Sequence, residues 1–140
     1  MSDPLPLVHR LRRLAADEAR RALAECLTAE AEAAAALRAL DAEIAAETDA
    51  ASDPDRDDRP VEDFAVWLRR IAVDRAAAVT TLADAETRSS EARAVLAATR
   101  TAERALEILM EQQAAERAAA GQRQEQAVLD EIGATRHGSN

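Results

Sequence analysis

The sequence predicts an all-α protein, a long antiparallel two-helix coiled-coil hairpin with a C-terminal helical overhang. Alanine accounts for 37 of the 140 residues, so large or branched apolar side chains are few. The chain has one Phe, one Trp and no Tyr, with only three Gly and four Pro to form turns. This composition lacks the strand formers and turn residues of a sheet protein. Apolar residues also recur at steps of three and four, which is the heptad pattern of coiled coils.

The first helix is expected over about residues 4–50. Asp3 is a good N-cap, and Pro4 suits the first helical position, where its missing N–H costs nothing. Mostly small residues at heptad spacing predict a seam that lets a second helix approach closely but buries little area per contact. The seam residues are Val8, Leu11, Ala15, Ala19, Ala22, Cys26, Ala29, Ala33, Ala36, Leu40 and Ile44.

Residues 48–60 contain two Pro, five Asp and no large apolar side chain, which predicts an acidic loop over about 51–59. The second helix is expected over about 60–135, with Pro60 at its start, and a disordered tail over 136–140. Its seam consists of Phe64, Leu68, Ile71, Arg75, Ala78, Leu82, Ala85, Ser89, Ala92, Leu96, Thr99, Glu103, Leu106 and Met110.

The unequal lengths of the two helices predict the overhang. At 1.5 Å per residue they would span roughly 70 Å and roughly 110 Å. Folded back at the loop, they pair until the first helix runs out, opposite about residue 107, where the second seam loses its large apolar residues. We therefore expect a single coiled-coil hairpin over 1–140 with an unpaired segment near 108–135, which Gly121 makes prone to fraying.

Charge and chemistry exclude several function classes. A net charge of −9 opposes nucleic-acid binding. No phosphate loop, Cys–His pairing or metal motif occurs, so no enzyme activity, cofactor or metal is predicted, and His9 with His137 would make only a weak metal site. Cys26 is expected to be a small buried hydrophobe in a reducing cytoplasm. We find no signal peptide and no 18-residue apolar stretch, so direct membrane insertion is not expected.

Residues 41–63 carry a charge balance of −8, nearly the whole net charge. A solvated segment that keeps the hairpin soluble is the simpler interpretation. A docking surface for a basic partner is the other interpretation.

Trp67 is the main candidate for a binding residue. It lies beside Phe64 near the start of the second helix, so both aromatic side chains of the chain are in one place. One interpretation is that Phe64 and Leu68 close the end of the hairpin while Trp67 packs across them. The other is that Trp67 and Ile71, one turn apart, form an exposed anchor for another protein.

Two segments resemble the FliJ family of flagellar export proteins. One is residues 103–136, with Leu106, Glu107 and Glu111, then Gln126 and the run Leu129, Asp130, Glu131 and Ile132. The other is FAVWLRRI, residues 64–71. The length and the order of long helix, loop and longer helix are also similar. The chain departs from the family pattern at Asp74, Gln112, Gln113 and Gly133.

The resemblance implies a soluble, cytoplasmic, non-enzymatic component of the flagellar type III export apparatus, associated with the inner membrane through that apparatus. It implies three partners: the hexameric export ATPase, in which the chain would act as a central stalk, the cytoplasmic domain of the export gate, and export chaperones. By position, the gate would contact Phe64, Trp67 and Ile71. The ATPase ring would contact Leu106, Met110, Leu129, Asp130 and Glu131.

Two other functions remain open on the residues alone. A generic structural or chaperone-like coiled coil would self-associate through its alanine seams and form concentration-dependent oligomers, whereas the stalk would be an elongated monomer on its own. An amphipathic membrane-surface protein is disfavoured by the acidic charge and by the lack of a Lys/Arg-rich polar face.

Overall fold

The computed structural model describes residues 2–55 and 61–138. It contains two α-helices in these ranges, α1 (Leu5–Ala51) and α2 (Val61–Gly138), and no strand. The expected all-α helical hairpin is therefore confirmed. No helix in the described ranges is long and apolar enough to cross a membrane.

The first helix starts where the sequence places its N-cap. A carboxylate oxygen of Asp3 accepts a hydrogen bond of 3.0 Å from the N–H of Leu5. Asp3 thereby satisfies one of the N–H groups that have no partner inside the helix. At the other end, the hydroxyl of Ser52 donates to the carbonyl of Thr48 at 2.9 Å, and the Ser52 N–H reaches the same carbonyl at 3.1 Å. These two bonds close the last turn of α1.

The second helix continues further than expected. It ends at Gly138, so residues 136–138, which were expected in a disordered tail, are helical. Arg136 lies in this last turn, where its positive charge complements the negative end of the helix dipole. The rest of that tail, the expected loop from residue 56 onward and the helix start at Pro60 lie outside the described residues.

The chain divides into two units, and each contains part of both helices. One unit is Met1–Ala16 with Ala98–Asn140, and the other is Asp17–Ala97. In the first unit, His9 approaches Glu107 and Asp3 bonds to Arg117, so an earlier residue pairs with a later one and the helices are antiparallel. The number of domains over residues 1–140 stays a prediction.

Small side chains occupy most of the buried positions among the described residues. In the first unit the buried position is Ala16. In the second unit Ile71 and Leu96 are the large buried side chains, and the others are Ala19, Ala33, Ala85 and Ser89. Alanine buries little area, so each contact adds less stability than a leucine contact would.

The expected seam of α1 is wrong at six of its eleven positions. Five members are buried or half-buried as expected: Ala19, Cys26, Ala33, Leu40 and Ile44. Six members are exposed: Val8, Leu11, Ala15, Ala22, Ala29 and Ala36. The contact face instead includes Leu5, His9, Ala16, Leu23, Glu30 and Leu37. Because alanine stands on every face of α1, its pattern did not distinguish neighbouring positions, and the larger Leu23 and Leu37 face inward.

The seam of α2 is confirmed as far as Met110, with two exceptions. Leu68 is 39% exposed, and Arg75 is an exposed residue whose Nε donates to a carboxylate oxygen of Asp41 at 2.6 Å. The last half-buried residue is Gln113, and every described residue from Ala114 onward is exposed.

Contact with the start of the chain extends about ten residues further along α2 than the expected end near residue 107. Arg117 Nη2 donates to a carboxylate oxygen of Asp3 at 3.2 Å. The long Arg117 side chain reaches a residue that precedes the first helical turn, which the count of helical residues did not include. We therefore define the exposed C-terminal segment as residues 118–138.

Candidate functional site

The first candidate surface is the aromatic patch, defined as Phe64, Trp67 and Ile71 at the start of α2. The Phe64 and Trp67 rings are stacked, with centroids 5.8 Å apart and planes inclined by 27°. Both rings are half-buried, but Ile71 is only 5% exposed. The expectation that Trp67 and Ile71 form an exposed anchor is therefore wrong for Ile71. Its seam position faces inward, whereas Trp67 lies beside the seam.

Exposed apolar side chains occur on the same part of α2. They are Val61, Val66, Leu68 and Val73. Apolar groups in water cost free energy unless a partner covers them, so a concentration of them is a sign of a binding surface. The half-exposed Trp67 adds the aromatic group that most often anchors protein interfaces.

The second candidate surface is the exposed C-terminal segment. Leu129 is 62% exposed, and Val128 and Ile132 are also exposed. Since residues three and four apart share a helix face, Ile132 lies beside both of them. The expected ATPase-binding residues Asp130 and Glu131 are exposed too, and Asp130 accepts a hydrogen bond of 3.0 Å from Gln126 Nε2.

The expected ATPase-binding residues do not share one environment. Leu106 and Met110 are half-buried on the α2 seam, close to the position where Glu107 meets His9. Leu129, with its neighbours Asp130 and Glu131, lies in the exposed C-terminal segment. A partner can therefore reach the second group directly, whereas the first group already packs within the hairpin.

The third candidate surface is one that the sequence did not predict. We call Leu7, Leu11 and Leu14 the leucine stripe, because they follow one face of α1 and are all more than half exposed. The heptad pattern predicts that Leu11 is buried on the seam, and it assigns no contact to Leu7 or Leu14. The sequence signal that could have revealed the stripe is the presence of large side chains on two faces of α1. Only one of those faces packs against α2.

A cluster of ionisable groups lies in the first unit. His9 Nε2 is 3.4 Å from Glu107 Oε1, and one donor atom from each of His9, Glu103 and Glu107 lies within 4.8 Å of the others. All three side chains are half-buried. The sequence suggested only His137 as a second ligand beside His9, and His137 is not part of this group. The spacing of the two Glu, four residues apart on one face of α2, was the signal that could have revealed the cluster.

Arg104 bonds to the cluster and affects the ionisation of Glu107. Arg104 Nη1 donates to Glu107 Oε2 at 3.1 Å and to Glu111 Oε1 at 3.4 Å. The hydrogen bond from Arg104, followed by that from His9, lowers the pKa of Glu107 below the ordinary carboxyl value. The hydrogen bond to Glu107 and the charge of Glu111 raise the pKa of Arg104. Glu107 thus remains ionised over a wider pH range than a free glutamate.

A comparison with known families decides what kind of protein carries these surfaces. A family model described as flagellar FliJ protein matches residues 1–140, the whole chain. The chain belongs to the FliJ family. The predicted resemblance to this family is thereby confirmed. No curated protein and no solved structure gives a match.

Membership of the FliJ family makes the chain a component of the flagellar export apparatus. Proteins of this family are in general non-enzymatic structural or export components. Such a component works by contact with other proteins. The aromatic patch, the exposed C-terminal segment and the leucine stripe are therefore the surfaces on which partners are to be sought.

Proposed function

We propose that this FliJ-family chain is a cytoplasmic stalk or adaptor that joins the hexameric export ATPase to the export gate at the inner membrane. In this role it would also help to deliver complexes of export chaperones with their substrates. Its association with the membrane would be peripheral, through the gate.

The exposed C-terminal segment is the observation that carries this proposal. From residue 118 to Gly138 every side chain is exposed, although the segment remains one continuous helix. An isolated polar helix is marginal in water, because helical stability in proteins comes mainly from packing of an apolar face. A partner that covers Leu129 and Ile132 would supply this packing.

We assign the exposed C-terminal segment to the ATPase ring. Leu129 and Ile132 present an apolar face, and Asp130 and Glu131 lie beside them on the helix. An amphipathic helix that inserts such a face into an apolar groove is a common mode of protein recognition. The half-buried Leu106 and Met110 would then support the base of the inserted segment rather than touch the ring first.

Binding to the purified hexameric export ATPase tests this assignment. Leu129→Ala combined with Ile132→Ala should weaken binding tenfold or more, because truncating a buried side chain that anchors an interface costs more than about 1 kcal/mol. Val79→Ala is the matched control, since Val79 is an exposed apolar residue of the same helix in the other unit. Equal affinity of the double variant and the unchanged chain would contradict the proposal.

Self-association is the second candidate function, and the leucine stripe favours it. Leu7, Leu11 and Leu14 are spaced by four and three residues, which is the heptad spacing of a helix that packs against another. A second copy of the chain could cover this stripe and form a structural or chaperone-like oligomer. The molecular mass in solution distinguishes the two functions.

A further inference from the structure

We propose that His9, Glu103 and Glu107 bind a divalent transition-metal ion, with Zn²⁺ as the reference case. Their donor atoms already lie within 4.8 Å of one another. The two helices contribute differently: α1 supplies the imidazole, and α2 supplies two carboxylates one turn apart. The site is independent of the proposed stalk function.

The distances suit a first-row metal ion. Zn²⁺ binds imidazole nitrogen and carboxylate oxygen at about 2.0–2.2 Å, so adjacent ligand atoms in a tetrahedral site are about 3.4 Å apart. His9 Nε2 and Glu107 Oε1 are 3.4 Å apart, which is this separation. The Glu103 donor atom lies within 4.8 Å of both of these atoms. Three protein ligands leave a fourth position for water.

The donor set also selects among metal ions. Imidazole suits Zn²⁺, Ni²⁺ and Co²⁺, whereas Mg²⁺ and Ca²⁺ prefer sites made of oxygen ligands. Two carboxylates beside one imidazole therefore favour a transition metal over the two commonest cellular divalent cations. We expect Mg²⁺ to compete poorly.

Arg104 is a positioning residue for this site. It bonds to Glu107 Oε2, which leaves Oε1 directed at His9. A group that bonds to a metal ligand without touching the metal fixes the orientation of that ligand. The ligand then loses less conformational freedom when the metal binds. Glu111 contacts the same guanidinium and partly offsets its positive charge, which would otherwise repel the ion.

Metal binding at this site would couple to pairing of the helices. His9 reaches the two glutamates only when the start of α1 packs on α2. In the first unit the buried core among described residues is a single alanine, Ala16. An ion that bridges the helices would stabilise a contact that has few apolar groups, and it would bind the paired form selectively.

Calorimetric titration of the full chain with Zn²⁺ tests the proposal. His9→Gln and Glu103→Gln should each lower the affinity at least tenfold. His137→Gln and Glu116→Gln are matched controls, since they remove the other imidazole and an exposed carboxylate of the same helix. The series is measured in a Cys26→Ala background, which removes thiol binding. Unchanged affinity in His9→Gln, or an equal loss in His137→Gln, overturns the site.

A second measurement avoids variants altogether. The chain has two histidines, so their ring signals can be followed separately by NMR in the unchanged protein. Substoichiometric paramagnetic Ni²⁺, one of the ions that imidazole suits, should broaden the His9 signals well before those of His137. Equal broadening of the two, or earlier broadening of His137, overturns the proposal even where a variant fails to fold.

Discussion

Ser89 is fully buried in the second unit, yet its hydroxyl oxygen has no hydrogen-bond partner within the described part of the chain. Glu30, on the contact face of α1 in the same unit, has a buried carboxylate oxygen in the same condition. Buried polar atoms without partners cost free energy that burial of small alanine side chains compensates only weakly. These two residues indicate that the second unit is less stable than its helical length suggests.

Ser89→Ala should raise the free energy of unfolding by about 1 kcal/mol, because it removes a buried unsatisfied hydroxyl and improves helix propensity. Urea denaturation followed by circular dichroism measures this change. Ser90→Ala is the matched control, since the neighbouring exposed serine contributes the propensity gain alone. If Ser90→Ala stabilises the chain equally, the buried hydroxyl is not the cause.

Substitutions of Trp67 and Ile71 should have different effects, one on partner binding and the other on stability. Ile71→Ala should lower the free energy of unfolding by about 2 kcal/mol, because Ile71 is buried. Trp67→Ala should lower it less but weaken binding to the cytoplasmic domain of the export gate about tenfold. Denaturation and a binding titration with that domain measure the two effects, with Val79→Ala as the control. Full gate affinity in Trp67→Ala would refute the contact.

The two helices are secured differently at their ends. α1 begins on the Asp3 cap, whose second carboxylate oxygen bonds to Arg117. α2 has Glu62 and Asp63 in its first turn, where they complement the helix dipole. Its exposed C-terminal segment contains Gly121 and Gly133, and beyond the adjacent residues and the local helix backbone nothing lies within 4 Å of where a Cβ would be at either position. The start of α1 therefore depends on one carboxylate, and the end of α2 on helix propensity.

Acid should loosen the start of α1. The N–H of Leu5, and then Arg117, lower the pKa of Asp3 below 3.8 in the folded chain. Stability from this carboxylate is therefore present above the unfolded pKa and is lost as pH falls through the lower folded value. An NMR titration of the Asp3 carboxyl should have its midpoint below 3.8. In Arg117→Gln the midpoint should rise only in part, since the bond from Leu5 remains; no rise at all would show that Arg117 does not contribute.

Gly121→Ala should stabilise the exposed C-terminal segment by about 1 kcal/mol, because alanine is the better helix former and the new methyl meets nothing beyond the local helix. Slower amide hydrogen exchange over residues 118–138 is the expected result. Ala120→Gly makes the opposite change at the adjacent exposed position and should speed exchange there. If Gly121→Ala leaves exchange unchanged, helix propensity does not limit the order of this segment.

At the scale of the whole molecule, the FliJ-family chain combines a weakly packed interior with apolar groups left in water. Its net charge of −9 opposes close association of identical copies, while the leucine stripe favours it. The balance between these two effects decides whether the free chain is a monomer or associates with itself.

Sedimentation equilibrium should show a monomer of 15.0 kDa over a wide range of concentration if the chain is a stalk. A mass that rises with concentration would support self-association instead. In that case Leu11→Glu, which places a charge in the leucine stripe, should restore the monomer. Val79→Glu, which places a charge at an exposed position outside the stripe, is the control and should leave the molecular mass of the oligomer unchanged.

Local chemistry made much of this protein predictable from its sequence alone. The N-cap at Asp3 depends on neighbouring residues, and the scarcity of strand formers and turn residues left helices as the available fold. The α2 seam was also predictable, since large residues such as Ile71 and Leu96 stand out on one face. The family resemblance rested on two short segments of the same helix.

Other features were decided only when the helices packed. Alanine on every face of α1 provides no contrast, so contact with α2 selected Leu23 and Leu37 over their neighbours. The same packing buried Ile71 and left Trp67 at the side of the seam. His9 meets Glu107 across 98 positions of sequence. Such a meeting depends on the exact register of two antiparallel helices, and no local pattern of residues specifies that register.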